Sequence, residues 1–127
     1  MQGSLKNRIR ETFQNKKILV TGASGYLSTN LVHSLKDLNC TIIRLSRGKV
    51  LPPIDGKVHI IDHQGDIVCR KTWEHVLDEV DIVYHMAGQT SVYVADEMPL
   101  ADMEINVKSM LLLLTVCQEK NIKRFIV

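Results

Sequence analysis

From Lys17 the chain alternates between two hydrophobic periods. The apolar run KILV gives way to a turn of small residues, TGASG, and residues 25–38 then carry Leu27, Leu31 and Leu35 four apart with Val32 beside them. That spacing predicts a helix over 25–38 whose leucine face packs on a sheet. TIIRLS, from Thr41, reads as a second strand, and after a loop interrupted by Pro52-Pro53 the segment KVHIID (57–62) reads as a third. A polar-apolar stretch over 71–79 suits a helix, and DIVYH (81–85) suits a short buried strand. Residues 99–120 predict a long helix opened by Pro99, with Met103, Val107, Leu111 and Leu114 on one side. IKRFIV reads as a fifth strand. Strands separated by helices pair in parallel through right-handed crossovers, so the expected class is α/β with a doubly wound parallel sheet.

Ahead of Lys16, MQGSLKNRIRETFQ places Leu5, Ile9 and Phe13 at four-residue intervals, which predicts a short helix packed on the domain, with a basic transit peptide as the alternative. The organisation is therefore a 1–15 extension followed by one domain over 16–127. A hydrophobic share of 45% beside 24% charged residues is enough apolar material for a single core. The net charge of +2, with both signs well mixed, argues against a nucleic acid or a membrane surface as the partner. The apolar run 110–116 falls far short of the ~20 residues of a membrane-spanning helix. The N-terminus lacks the apolar stretch of a secretory signal. Cys40, Cys69 and Cys117 are odd in number and scattered, which suggests neither a disulfide framework nor a zinc site and fits a reducing, cytoplasmic setting. The cysteines read as small buried hydrophobes. His59 and His63, spaced along a strand and its following loop, do not converge on a metal as they would on one helix face, so no metal is expected.

The chemistry concentrates in Thr21-Gly22-Ala23-Ser24-Gly25-Tyr26-Leu27-Ser28, which follows a strand and opens a helix. A diphosphate needs backbone N–H groups at close range and the positive end of a helix dipole; glycine permits the tight turn and removes the Cβ that would block approach. Gly22 and Gly25 suit those two tasks. The competing explanation is a tight strand-to-helix turn in an unrelated α/β protein.

TGASGYL resembles the TGxxGFxG turn of the extended short-chain dehydrogenase/reductase family, which contains nucleotide-sugar epimerases, dehydratases and decarboxylases. Gly65-Asp66-Ile67, the segment 81–92 (DIVYHMAGQTSV), Asn106-Val107 and the segment 123–127 (KRFIV) agree with it in order and spacing. The resemblance implies a Rossmann-type NAD(P)-binding domain, truncated after about five strands. By the same resemblance Gly22, Ser24, Gly25, Tyr26 and Leu27 would surround the pyrophosphate, and Asp66 and Ile67 would sit against the adenine. Asp66 could equally be a loop carboxylate or cap the next helix. Met86, Ala87 and Gly88 would line the nicotinamide ribose pocket. Gln89, Thr90 and Ser91 would face the nicotinamide or a sugar substrate, or form an ordinary polar loop. Asn106 is carried over as structural support.

Two departures from the family pattern bear on the cofactor. Ser28 stands where the third glycine normally lets helix and strand pack closely. No acidic residue occurs between Asp37 and Asp55 to receive the 2′-hydroxyl of NAD; instead the second strand ends in Arg44-Leu45-Ser46-Arg47, with Lys49 following. A small hydroxyl residue followed by arginine suits a 2′-phosphate, so Ser46 and Arg47 point to NADP rather than NAD. Alternatively, Arg44, Arg47 and Lys49 form a solvated loop.

The family's reaction uses a Ser or Thr just after the fifth strand and a Tyr-x-x-x-Lys pair. Tyr26, Tyr84 and Tyr93 are followed four residues later by Asn30, Gly88 and Glu97, so no catalytic residue is expected in this chain. The expectation is the cofactor-binding portion of an enzyme of nucleotide-sugar epimerase, dehydratase or reductase type, with a nucleotide sugar as substrate of the intact protein. The alternative is a non-catalytic dinucleotide sensor or scaffold. The wide apolar face of the 99–120 helix further predicts self-association, since in the resembling family this helix joins a dimer interface.

Overall fold

The computed structural model describes residues 2–127. A helix α1 (Gln2–Phe13) leads into β1 (Lys17–Thr21), α2 (Tyr26–Ser34), β2 (Thr41–Ser46), β3 (His59–Gln64), α3 (Arg70–Val76) and β4 (Ile82–Tyr84). Then follow α4 (Val92–Glu97), α5 (Pro99–Met103), a π-helical segment (Glu104–Lys108), α6 (Ser109–Glu119) and β5 (Phe125–Ile126). The five strands form one sheet in the order β3-β2-β1-β4-β5, every pair parallel. This is the α/β, doubly wound Rossmann arrangement, with the order reversing beside β1.

Alternation along β1 divides the core. Ile18 and Val20 point to one side, where Val32 and Leu35 of the α2 region and Ile42 cover them. Leu19 points to the other, among Ile43, Leu45, Trp73, Leu113 and Val116 from β2, α3 and α6. Trp73 is fully buried, and its indole Nε1 donates to Ile67 O at 2.8 Å, so its polar edge is satisfied. Across β2 and β3, Arg44 faces Asp62 in register, and Arg44 Nε and Nη2 donate to its two carboxylate oxygens at 2.6 and 2.8 Å. Nη1 of Arg44 donates to Pro52 O at 2.8 Å, which ties down the proline loop.

α6 ends in a sharp reversal. Asn121 adopts φ 59°, its N–H bonds Gln118 O at 3.2 Å, and Ile122 N bonds Cys117 O at 2.8 Å. This paired closure satisfies helix-end carbonyls and returns the chain toward β5.

Several sequence expectations need correction. The helix expected over 25–38 begins at Tyr26 and ends at Ser34. Its sheet-facing residues are Ser28, Val32 and then Leu35, whereas Leu27 is 66% exposed. The small side chain at 28 lets that ridge, rather than the leucine ridge beside it, lie against β1. β3 is displaced from 57–62 to His59–Gln64, the helix expected over 71–79 is Arg70–Val76, and α4 has no counterpart in the expected elements. α1 forms, but Leu5 and Ile9 are exposed and only Phe13 packs on the core. In the 99–120 region Met103, Val107 and Leu111 face outward, while Ser109, Leu113, Val116 and Cys117 are buried. No helix among the described residues is long and apolar enough to cross a membrane.

Candidate functional site

β1 and β4 are neighbours whose onward connections run to opposite sides, and a crevice opens beyond their C-terminal ends. At the end of β1, Thr21 directs its hydroxyl across the crevice floor. Thr21 Oγ1 accepts from Met86 N and Ala87 N, both at 3.0 Å, and lies 2.8 Å from His85 Nδ1. Gly22 follows with φ 60°, and a Cβ there would stand 2.8 Å from the Cα and N of Ala87. Its glycine is thus required by the approach of the β4 exit, besides the left-handed turn. Gly25 is extended (φ −76°, ψ 164°) and caps α2 with no side-chain hydrogen bond. The first turn of α2 therefore offers backbone N–H groups and the positive end of its dipole without a competing cap. Ser28 Oγ donates to Thr21 O at 3.3 Å, which satisfies the hydroxyl where the family pattern has glycine.

A cleft of about 340 Å³ runs over this floor. The glycine turn contributes Gly22, Ser24 and Gly25; the end of β2 contributes Ser46 and Arg47; the β3 exit contributes Asp66 and Ile67; the β4 exit contributes Met86, Ala87 and Gly88. Tyr26 and Leu27 do not join them. Tyr26 is 83% exposed on the first turn of α2, and Leu27 borders a separate depression beside Leu31, Tyr84 and Ile126. Gly65, Gln89 and Ile105 also line the cleft. Gly65 adjoins the recognised Asp66, but nothing in the local sequence distinguished Ile105 from its apolar neighbours.

Asp66 does two things at once: its Oδ1 accepts from Val68 N at 3.1 Å, fixing the turn before α3, and the residue lines the cleft. Ser46 Oγ donates to Lys49 O at 3.2 Å, which folds the loop back beside the exposed Arg47. Arg44 is neither solvated nor a cleft residue, being 5% exposed and committed to Asp62.

The far wall rests on Asn106, in the π-helical segment. Its side chain bonds both backbone groups of Gln89, and its Nδ2 also donates to Asp102 Oδ1 at 3.1 Å. Gln89 Nε2 donates to the same Asp102 oxygen at 2.6 Å. Thr90 lines the neighbouring depression, while Ser91 caps α4 by accepting from Val94 N at 3.4 Å. A π turn widens the helix locally and recurs where a helix meets a functional site.

His63 stacks on His75 with ring centroids 4.5 Å apart, and burial followed by the charge of His75 lowers the pKa of His63. Burial lowers that of His85. No group of three or more potential metal ligands occurs among the described residues. Cys40 and Cys117 are buried, with thiol pKa values pushed up by desolvation, whereas Cys69 is exposed, against the expectation for all three.

The chain is similar to known proteins across nearly its whole length. The UDP-glucose 4-epimerase of Azospirillum brasilense is 30% identical over 121 residues, covering 91% of this chain and 34% of its own. The structure of a UDP-N-acetylglucosamine 4-epimerase from Methanobrevibacter ruminantium M1, in complex with UDP-N-acetylmuramic acid, superposes with a TM-score of 0.70 at 30% identity over 89% of this chain and 37% of that one. The UDP-glucose 4-epimerase of Thermus thermophilus, in complex with NAD, gives a TM-score of 0.68 at 28% identity over 86% and 36%. The chain thus spans about a third of the length of the relatives it matches. The NAD dependent epimerase/dehydratase family matches over residues 18–127, and the chain belongs to that family.

Proposed function

We propose that this chain is the dinucleotide platform of an NAD(P)-dependent enzyme of nucleotide-sugar epimerase, dehydratase or reductase type. The observation that carries the reading is the uncapped N-terminus of α2, set behind the Gly22 turn on the same cleft as Arg47, Asp66 and Ala87. An anionic diphosphate fits the helix end, an adenosine ribose fits Arg47, and an adenine fits Asp66. Ser24 and Gly25 would hold the pyrophosphate, Asp66 and Ile67 the adenine, and Met86, Ala87 and Gly88 the nicotinamide ribose. A dinucleotide held there would supply hydride chemistry toward a substrate carbon in the intact enzyme. The protein's own part here is to orient the dinucleotide, and no group in the cleft is assigned to proton transfer.

Ser46 and Arg47 favour a 2′-phosphate, hence NADP, because a guanidinium pairs with phosphate oxygens and no carboxylate stands at the end of β2 to repel them. Titrating the chain with NADPH and NADH tests both levels. Tighter NADPH binding is the expected result; tighter NADH binding overturns the role of Arg47, and binding of neither overturns the dinucleotide reading.

The outward stripe of Leu100, Met103, Val107 and Leu111, each 47% or more exposed, is the surface we assign to pairing with a second copy.

A further inference from the structure

The hydrogen-bond inventory around Thr21 fixes the state of a buried histidine. A hydroxyl oxygen has two acceptor positions and one proton. Both acceptor positions of Thr21 Oγ1 are taken by Met86 N and Ala87 N, at 3.0 Å each. The remaining contact, His85 Nδ1 at 2.8 Å, must then receive the hydroxyl proton. His85 Nδ1 therefore carries no hydrogen, and the neutral ring bears its proton on Nε2.

We propose that His85 is a positioning residue for the dinucleotide cleft: by accepting from Thr21, its Nδ1 locks the hydroxyl in the one orientation that anchors the Met86-Ala87 backbone. The inference rests on the dinucleotide reading of the cleft for its functional consequence, though not for the bonding pattern. His85 is 4% exposed, and its own N–H bonds Ile126 O at 2.8 Å, so neither ring nor backbone is free to move aside. The edge of Trp73 from α3 meets the ring with centroids 5.5 Å apart. Burial is the one cause that shifts His85, whereas the neighbouring Tyr84, whose side chain packs with the core on the α2 side of the sheet, has its pKa raised by burial against the opposing charge of Arg124. Burial accordingly favours the neutral ring that the bonding pattern requires.

Protonating Nδ1 would set two donors against each other. Thr21 would have to turn its proton toward Met86 or Ala87 and surrender one of those two bonds. The floor under the nicotinamide ribose would loosen, and affinity for a dinucleotide would fall as the solution is acidified.

Three measurements on the full chain test this. Nitrogen NMR of the imidazole should show the Nε2–H tautomer; an Nδ1–H tautomer overturns the proposal whether or not a nucleotide binds. Trp73 is the sole tryptophan, and an imidazolium beside it quenches indole emission. Its fluorescence should therefore drop on acidification in the wild type and not in His85→Asn; equal drops count against the assignment. For binding, His85→Asn keeps an acceptor oxygen at the Nδ1 position and should hold NADPH or NADH within about twofold of wild type near neutral pH, with no loss on acidification, whereas His85→Leu should weaken binding about tenfold. Equal affinities of the two variants overturn the proposal. If the wild type binds neither nucleotide, the dinucleotide reading fails, while the tautomer and fluorescence results still decide the brace.

Discussion

Asn106 holds the backbone of Gln89 from both directions, its Oδ1 accepting from Gln89 N and its Nδ2 donating to Gln89 O, each at 2.9 Å. A side-chain amide here does what a neighbouring strand would do, and it joins the long helix to the β4 exit. Asn106→Asp should be worse than Asn106→Ala, because the new oxygen would face both the Gln89 carbonyl and the Asp102 carboxylate. Each substitution should lower stability by about 1–2 kcal/mol in urea unfolding, and equal stability of wild type and the Asp variant would remove the clamp from the account.

Gly22→Ala should be the most damaging change in the turn. It places a Cβ at 2.8 Å from the Ala87 backbone in a residue with φ 60°. The left-handed conformation alone costs about 1–3 kcal/mol, and the clash adds to it. Gly25→Ala meets only Gly22 O at 3.2 Å and has φ −76°, so thermal unfolding should change little. Its effect should appear in nucleotide titration.

These glycines show how the site could be read before the structure and where reading stopped. That the turn, Asp66 and the β4 exit share one cleft was legible because each sits at a strand end, where phase is fixed by the period of two. Helix phase is not fixed in that way: Leu27, Leu31 and Leu35 fit a 3.6 repeat as well as Ser28, Val32 and Leu35 do, and packing against β1 chose the ridge with the smaller side chain, which leaves the side chains of Tyr26 and Leu27 outside the cleft. Likewise Met103, Val107 and Leu111 form a real stripe, but the ridge bearing Ser109, Leu113 and Val116 is the one that is buried. Residues 92–97, after the polar stretch Gln89-Thr90-Ser91, gave no periodic signal, and α4 is defined instead by the Ser91 cap.

The Arg44–Asp62 pair allows a test of what a buried charge needs. Arg44 is nearly enclosed, while the side chain of Asp62 is half exposed. Asp62→Ala strands the guanidinium and should cost about 1–3 kcal/mol. Arg44→Met removes the charge and keeps an apolar stem, and should cost less by chemical denaturation; the reverse order would show that the Pro52 contact outweighs the ion pair.

Acid should destabilise the fold through His63 and His85. Both have folded pKa values below the ordinary histidine value, so the unfolded chain takes up protons first. Stability is full above about pH 6.5 and is lost as pH falls toward and through the folded values. His75→Asn removes the second cause acting on His63 and should flatten part of the slope in urea midpoints measured across that window. An unchanged slope would mean that the stacked pair does not contribute.

On the proposed pairing of two copies, Val107→Glu or Leu111→Glu should shift the chain to monomer in sedimentation, with little change in melting temperature, because both residues are more than half exposed. A wild-type chain that is monomeric at high concentration would remove the pairing surface.

The close approach at Gly22 also changes what a glycine motif reports. Met86 and Ala87 require the first glycine for packing, whether or not anything is bound. A descendant that bound no nucleotide would still have to keep it, whereas a Cβ at the second would meet only Gly22 O, at 3.2 Å. On the proposed dinucleotide reading, Gly25 is therefore the more informative letter of the pair for ligand binding, and Gly22 testifies chiefly to the fold.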